Sequence, residues 1–262
     1  MSKSKKKSKL KSFDENAGMH LNKFKIIVLI LASVVVAIFF LVRSVPIFSV
    51  KTIEVRGNEI VSKDTIIDLC GIDYDSNLYG INKNYSISMI KSNAYIESVT
   101  ISQNLPSTVV IEVEERKPLF VIKIDSGFVH FDVHGNIIDI SENSGNLPIA
   151  VGFSTDLSNP KTGNKLQNED VEKLNLVYKI LEIAKSKNIN QFISDIDVSD
   201  SNNCKIILIT EGKIAYVGDC SQLDIRMDYL KAIMEQETGN SGSIFINMDL
   251  NTGRAYFREE EI

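Results

Sequence analysis

The sequence is poor in cysteine and holds none of the short motifs on which many enzyme active sites depend. Its three cysteines, Cys70, Cys204 and Cys220, are too few for a disulfide-stapled scaffold, and outside the cytoplasm at most one pair could form. A Gly-rich phosphate loop, a Ser nucleophile elbow and a His-Glu-x-x-His zinc motif are all missing. These absences predict a protein that is not an enzyme and has no metal and no cofactor.

One cluster, His130-Phe-Asp-Val-His134, nevertheless has the residue types of a metal site. In a flat strand the Cα atoms of the two histidines would lie roughly 13 Å apart, too far to share an ion without a sharp bend. We therefore interpret this segment as a polar strand that enters a turn at His134.

An anchored cysteine transpeptidase is the enzyme class that the sequence leaves open, because such a protein combines a membrane helix, strands, His and Cys. An activated thiolate needs a neighbouring base or cation. Cys204 precedes Lys205 and Cys220 follows Asp219, and neither lies in the Thr-Leu-x-Thr-Cys setting that sortases show. Anomalous reactivity of Cys220 toward iodoacetamide would support this alternative.

Positive charge is scarce beyond the first 25 residues. Those residues carry eight lysines against Asp14 and Glu15, a net charge of +6, whereas the remaining 237 carry 21 basic and 32 acidic residues, a net charge of −11. An acidic surface does not suit binding to a phosphate backbone, so nucleic acid is not expected as a partner.

The longest uncharged run covers the 17 residues 26–42. Together with flanking residues it is long enough for a transmembrane helix over residues 26–45. The lysines of residues 1–25 predict a cytoplasmic N-terminus and globular domains outside. A cleaved secretory signal is the alternative, but Val42-Arg43-Ser44 is a poor cleavage site.

The first globular part shows alternating strand and helix patterns. Alternating apolar positions predict a strand over residues 50–56, and helical periodicity follows over residues 62–70 and 85–92. Strands over residues 96–102 and 108–114 are predicted to form a hairpin. The predicted order is β-α-α-β-β.

The second globular part begins with two predicted strands, over residues 119–124 and 127–133. A long amphipathic helix is predicted over residues 170–187, followed by a strand over residues 193–198. A hairpin over residues 205–217 follows.

The remaining chain is predicted to hold one more helix and a closing hairpin. Ser221 and Asp224 have the spacing of a capping pair at the start of that helix. The hairpin comprises residues 244–258, around the turn Asn251-Thr252-Gly253. Antiparallel strands with helices on one face predict an α+β fold with a largely antiparallel sheet.

Several short segments carry a family resemblance. In the first globular part these are Val50-Lys-Thr-Ile-Glu-Val-Arg-Gly-Asn58, Asn77-Leu-Tyr79, and Leu105-Pro106 followed by Val110-Ile-Glu-Val-Glu-Glu-Arg-Lys-Pro118; later come Val217-Gly218 before a helix with Arg226, and Ile246-Asn-Met-Asp-Leu250. Together they resemble the POTRA and β domains of the FtsQ/DivIB family of bacterial cell-division proteins. That family also places its POTRA domain directly after one membrane helix.

The resemblance implies a domain organisation, a function and a binding surface. It implies a POTRA domain over residues 46–117, a β domain over 118–258 and a short tail over 259–262. The implied function is a non-enzymatic scaffold at the division septum, on the outer side of the cytoplasmic membrane, that binds FtsL and FtsB (DivIC in Gram-positive bacteria) and assists septal wall synthases. Matching the closing strands places the partner-binding residues at Leu250, Thr252, Gly253, Ala255, Tyr256 and Phe257.

The closing hairpin is expected to leave a strand edge that a partner strand can extend. Because side chains alternate along a strand, either Tyr256 or Phe257 is expected to face the core while the other faces out.

A second interpretation keeps the POTRA domain but makes the chain a receptor or chaperone for secreted or envelope polypeptides. Such proteins usually carry several POTRA repeats or a barrel, and the sequence shows neither.

Overall fold

The computed structural model describes residues 23–40, 46–248 and 253–259. Within these ranges the α-helices are α1 (Lys23–Phe40), α2 (Lys63–Cys70), α3 (Lys83–Ile90), α4 (Val171–Ser186) and α5 (Leu223–Gln236). The strands are β1 (Thr52–Arg56), β2 (Ile96–Asn104), β3 (Thr108–Glu115), β4 (Phe120–Ile124), β5 (Gly127–Phe131), β6 (Ile137–Ser141), β7 (Ile149–Val151), β8 (Ile193–Asp197), β9 (Cys204–Leu208), β10 (Ile214–Gly218), β11 (Gly242–Phe245) and β12 (Tyr256–Glu259).

These strands form two sheets. A three-stranded sheet has the order β1-β3-β2, and a nine-stranded sheet has the order β12-β11-β10-β9-β8-β7-β4-β5-β6. The larger sheet is mixed but mostly antiparallel, with parallel pairing where β7 lies beside β4 and β8 and where β10 lies beside β11. The fold is α+β, as the sequence predicts.

Helix α1 is long and apolar enough to cross a membrane. Its 18 residues have a mean hydropathy of 2.5 and none of them is buried. At about 1.5 Å per residue the helix is roughly 27 Å long, close to the thickness of a hydrocarbon core. It begins three residues before the predicted span, and residues 41–45 of that span lie outside the described part of the chain.

The described residues divide into two compact units. Unit 1 contains the described residues up to Arg56 together with Lys63–Ile87 and Thr100–Glu112, and unit 2 contains Gly57–Ser62, Ser88–Val99 and the described residues from Val113 onward.

Unit 1 is built on the parallel pairing of β1 with β3, in which Thr52 lies opposite Thr108 and Arg56 opposite Glu112. Helix α2 buries Ile66 and Cys70. The element order over β1, α2, α3, β2 and β3 is the predicted β-α-α-β-β.

Unit 2 packs α4 and α5 against the nine-stranded sheet. Helix α4 turns one apolar stripe inward, as its period predicts, and the buried residues are Leu174, Val177, Ile180, Leu181 and Ala184. Helix α5 contributes Leu223, Met227 and Leu230 to the same core. Alternate strand residues such as Ile206 and Ala215, which lie opposite each other, complete it.

The predicted cap of α5 is wrong. Gln222, with φ of +46°, precedes the helix and makes no side-chain cap bond. The Ser221 hydroxyl donates instead to the Asp219 carboxylate, at 2.8 Å. Left-handed backbone at both Cys220 and Gln222 turns the chain away from the capping geometry that spacing alone suggests.

Candidate functional site

The nine-stranded sheet has two ends, and the end at β6 is partly covered. The backbone N–H of Ile137 donates to the carbonyl of Asn164 at 2.7 Å, and the N–H of Gly163 donates to the carbonyl of Ile137 at 2.8 Å. The N–H of Leu166 donates to the carbonyl of Gly135, just before the strand. A second strand therefore cannot pair along the beginning of β6 without displacing residues 163–166.

The other end of the sheet is β12, which pairs on one side only. Its four residues run antiparallel to β11, with Phe257 opposite Ile244 and Tyr256 opposite Phe245. On its outer side β12 makes no backbone hydrogen bond to any residue that the structure describes. Unpaired N–H and C=O groups on such an edge are a template for an added strand.

The side chains of β12 alternate between the core and the surface. Phe257 is partly buried and packs against the hydrophobic core of unit 2. Tyr256 lies on the opposite face, with 46% of its surface exposed. Ala255 is half-buried, while Gly253 is exposed. Of the predicted partner-binding residues, Leu250 and Thr252 lie outside the described ranges.

An aromatic ladder, consisting of Tyr216, Phe245 and Tyr256, crosses the last three strands. The rings of Tyr216 and Phe245 have centroids 4.9 Å apart and are inclined by 4°. The rings of Phe245 and Tyr256 are 4.7 Å apart and are inclined by 16°. Stacked cross-strand rings of this kind stabilise the pairing of neighbouring strands. The ladder ends at the exposed strand with Tyr256.

A cation lies against this ladder. The guanidinium carbon of Arg258 is 5.0 Å from the centroid of Phe245 and 6.0 Å from that of Tyr256, within the range of cation–π attraction. The edge therefore combines free backbone groups with an aromatic ring and a positive charge.

Gly242 makes the close approach of β11 to β12 possible. A Cβ atom added to Gly242 would lie 2.3 Å from the carbonyl oxygen of Arg258 and 2.8 Å from the ring of Phe257. No side chain fits there unless β12 moves. The sequence pattern does not single out this residue, because the predicted hairpin begins only at residue 244.

Arg226 ties together the backbone that leads to this edge. Its Nη1 atom donates to the carbonyl of Val217, at the end of β10, and to that of Ile246, just after β11, at 3.0 Å. The guanidinium is almost fully buried, and its Nε atom has no partner among the described residues. In the sequence, only the family resemblance points to Arg226.

The three residues of the possible metal cluster have separate partners. The His130 ring nitrogen Nε2 lies 3.0 Å from the Ser141 hydroxyl, and the His134 ring lies 3.4 Å from Glu97. Asp132 is buried and forms an ion pair with Arg116 at 2.7 Å. Among the described residues, no group of three or more possible ligands lies close enough to hold a metal ion.

The geometry of the cysteines does not favour a transpeptidase. Cys204 and Cys220 have 0% and 2% of their surfaces exposed, so a substrate does not reach them in this conformation. The hydrogen bond between them lowers the pKa of the Cys204 thiol and, together with burial, raises that of Cys220. An activated nucleophile needs a lowered pKa and also an open approach, and neither cysteine combines the two.

Comparisons with known proteins agree with this architecture. The family model of the FtsQ-type POTRA domain matches residues 48–116. A cell division protein DivIB of Clostridium acetobutylicum is 30% identical over 161 residues, which cover 62% of this chain and 64% of that protein, somewhat less than two thirds of its length. A DivIB of Clostridium botulinum is 24% identical over 217 residues, 83% of each chain, and that of Bacillus subtilis is 33% identical over 94 residues, 36% of each.

The fold and these matches define the class as proteins with an N-terminal apolar helix, an FtsQ-type POTRA domain and a large mixed sheet. The match to the POTRA model and the similarity to several DivIB proteins support a relationship to the FtsQ/DivIB family of bacterial cell-division proteins.

Proposed function

We propose that this protein is a non-enzymatic scaffold for cell division that binds single-pass partners of the FtsL and FtsB/DivIC type by strand addition at β12. The observation that carries the proposal is the contrast between the two ends of the nine-stranded sheet. Residues 163–166 cover the start of β6, whereas no described residue pairs with the outer side of β12. Backbone bonds would supply affinity, and the alternating side chains would supply specificity.

The proposed surface includes Gly253, Ala255, Tyr256 and Phe257 of the sequence prediction. Phe257 would hold β12 against the core, and Tyr256 would contact the partner directly. Exposed aromatic side chains beside a strand edge are typical anchors of protein interfaces. Leu250 and Thr252 stay in the proposal from the family resemblance alone.

The proposed location is the cytoplasmic membrane at the division septum. Helix α1 would be a single membrane span, with the lysine-rich N-terminus in the cytoplasm and both globular units outside. From that position the complex would assist septal wall synthases. Protease digestion of intact protoplasts tests the orientation, because external globular units would be digested while a cytoplasmic control survives.

Substitution of Tyr256 tests the binding surface. We expect Tyr256→Lys in the full-length chain to weaken capture of an FtsB/DivIC-type partner by about tenfold, because the partner would lose the exposed ring. Gly253→Pro is expected to weaken capture as well, by altering the entry into β12. Capture on immobilised partner in detergent, with circular dichroism to verify folding, measures both effects.

Tyr229→Lys is the matched control, since Tyr229 on α5 is exposed to 43%, close to the 46% of Tyr256. It should bind like the unmodified protein. Unchanged capture by Tyr256→Lys and Gly253→Pro, in folded protein, would refute the assignment of the surface.

Depletion of the protein separates a division function from that of a polypeptide receptor. We expect filamentous cells with unresolved septa under the microscope. Envelope defects in cells of normal length would favour a receptor instead.

A further inference from the structure

Two of the three cysteines meet in the interior of unit 2. Cys204 begins β9 and lies in register with Gly218 at the end of β10. Cys220 follows two residues later, and its sulfur lies 4.0 Å from the Gly218 carbonyl oxygen. The chain turns back at this point because Cys220 has a φ of +56°. Strand register and turn thus bring two residues 16 positions apart in sequence side by side.

Both thiols lie in the hydrophobic core of unit 2. A side-chain hydrogen bond between them lowers the pKa of Cys204 and, together with burial, raises that of Cys220. Both are free thiols in this structure. Cys70, the third cysteine, lies in unit 1 and is fully buried.

We propose that Cys204 and Cys220 are a disulfide modification site, oxidised by thiol–disulfide exchange with a small disulfide or a disulfide-carrying oxidoreductase. Only the location of this reaction, outside the cytoplasm, depends on the proposed function. Disulfides persist in that compartment, whereas cytoplasmic thiols are kept reduced.

The exchange balances in two steps. The Cys204 thiolate attacks one sulfur of the reagent disulfide, and one reagent thiol leaves. The Cys220 thiolate then attacks the sulfur of Cys204 in the mixed disulfide, and the second reagent thiol leaves. The chain loses two electrons and two protons in total, and the reagent gains them as two thiols. Local opening of the strand end, or folding after export, would give the reagent access.

The disulfide would stabilise the part of unit 2 that supports the proposed partner edge. It would fasten the start of β9 to the turn before α5, the helix that carries Arg226. That arginine in turn holds the carbonyl groups of Val217 and Ile246. A cross-link here would restrain the base of the closing strands without covering β12.

Peptide mapping of the full-length protein in detergent tests the proposal. The protein is incubated with excess glutathione disulfide, alkylated in denaturant and digested with trypsin. Residues 188–205 and 214–226 are then expected as one linked species, two hydrogens lighter than the sum of the free peptides. The peptide of residues 64–83, which contains Cys70, should be alkylated and is the internal control. Cys204→Ser should abolish the linked species and Cys70→Ser should leave it intact.

Alkylation of both Cys204 and Cys220 after this incubation would overturn the proposal. Reduction of the linked protein should also lower Tm by roughly 5–10 °C, as expected for a loop of this length in a domain of this size. A Tm that does not change on reduction would refute the stabilising effect.

The same digest from intact cells, quenched with a membrane-permeable maleimide before lysis, tests the oxidation at its proposed location. The linked peptides are expected there too. If the protease digests the globular units from outside but Cys204 and Cys220 are free, the proposed oxidation upon export is overturned. If the protease spares the globular units, the proposed topology is refuted instead. The two failures are therefore distinguishable.

Discussion

The two ends of the nine-stranded sheet consist of similar short strands but differ in what lies beside them. Next to β6, the backbone of residues 163–166 takes up hydrogen-bonding groups that the strand would otherwise expose. The turn before β6 is held by the buried carboxylate of Asp132, which accepts from the backbone and side chain of Asn136. Next to β12, no described residue takes up the backbone groups of the outer edge, and no described carboxylate holds the preceding segment. The availability of a strand edge is therefore set by neighbouring segments rather than by the composition of the strand.

The two ends also differ in the chemistry of their side chains. The β6 end has a polar turn with a largely buried ion pair between Asp132 and Arg116. The β12 end has stacked aromatic rings and the guanidinium of Arg258. A protein interface is typically enriched in aromatic residues and arginine, so this contrast again favours β12 as the binding end.

Gly242→Val should produce the largest effect, because it removes the binding end altogether. The added side chain would collide with the Arg258 carbonyl, only 2.3 Å from the new Cβ atom, and β12 would separate from β11. We expect partner affinity to fall by about 100-fold or more, which corresponds to about 2.7 kcal/mol or more. Titration with a labelled partner measures the loss.

The control is Gly239→Ala, in the loop before β11. A Cβ atom there meets nothing within 4 Å, so the cost should be limited to that of a positive φ, about 1 kcal/mol, with no loss of affinity. Equal affinity for Gly242→Val and the unmodified protein would show that partners bind elsewhere.

Asp132→Asn should weaken the opposite end without affecting partner binding. The carboxylate accepts from the N–H groups of His134 and Asn136, from the Asn136 side chain and from Arg116 at 2.7 Å. Loss of a buried acceptor and of the charge facing Arg116 should cost about 2–3 kcal/mol of unfolding free energy. Denaturant titration measures it, with Asp125→Asn in the exposed β4–β5 turn as the control.

The pH dependence of the same end follows from the pKa of Asp132. Burial acts to raise this pKa, but hydrogen bonds from Asn136 and the attraction of Arg116 outweigh it, so the net shift is downward. The resulting stability is fully present above the unfolded pKa, about 3.9, and is lost as the pH falls through the lower folded value. Amide exchange in β6 should therefore accelerate below about pH 4, relative to Asp132→Asn at the same pH. Identical profiles for the two proteins would contradict this origin.

Local patterns were sufficient to predict most helices and hairpins from the sequence. The α4 stripe and the β9–β10 hairpin follow from spacing over a few residues, and the structure confirms both. The alternation of Tyr256 and Phe257 likewise follows from strand geometry, whichever partner β12 has.

Long-range pairing could not be predicted in this way. The short strand β7 lies parallel to β4 and β8, which are distant in sequence, and its three residues carry no pattern of their own. The cover over β6 is formed by a loop some 25 residues further along the chain. Local sequence patterns therefore do not predict the contrast between the two sheet ends. The contact between Cys204 and Cys220 depends on the register of β9 and β10 and on a left-handed turn, neither of which their spacing reveals.

Arg258→Gln should produce the smallest effect and show how much the cation contributes to the binding end. The substitution removes attraction to the rings of Phe245 and Tyr256 but leaves the backbone of β12 in place. We expect a loss of about 0.5–1 kcal/mol, or about two- to fivefold in affinity, and a weaker dependence on salt. Arg254→Gln is the matched control, because Arg254 is exposed and makes no ring contact among the described residues. If both variants lose affinity equally, the effect is due to net charge and not to the position of the guanidinium over the ladder. In that case only the rings of the aromatic ladder distinguish the two sheet ends.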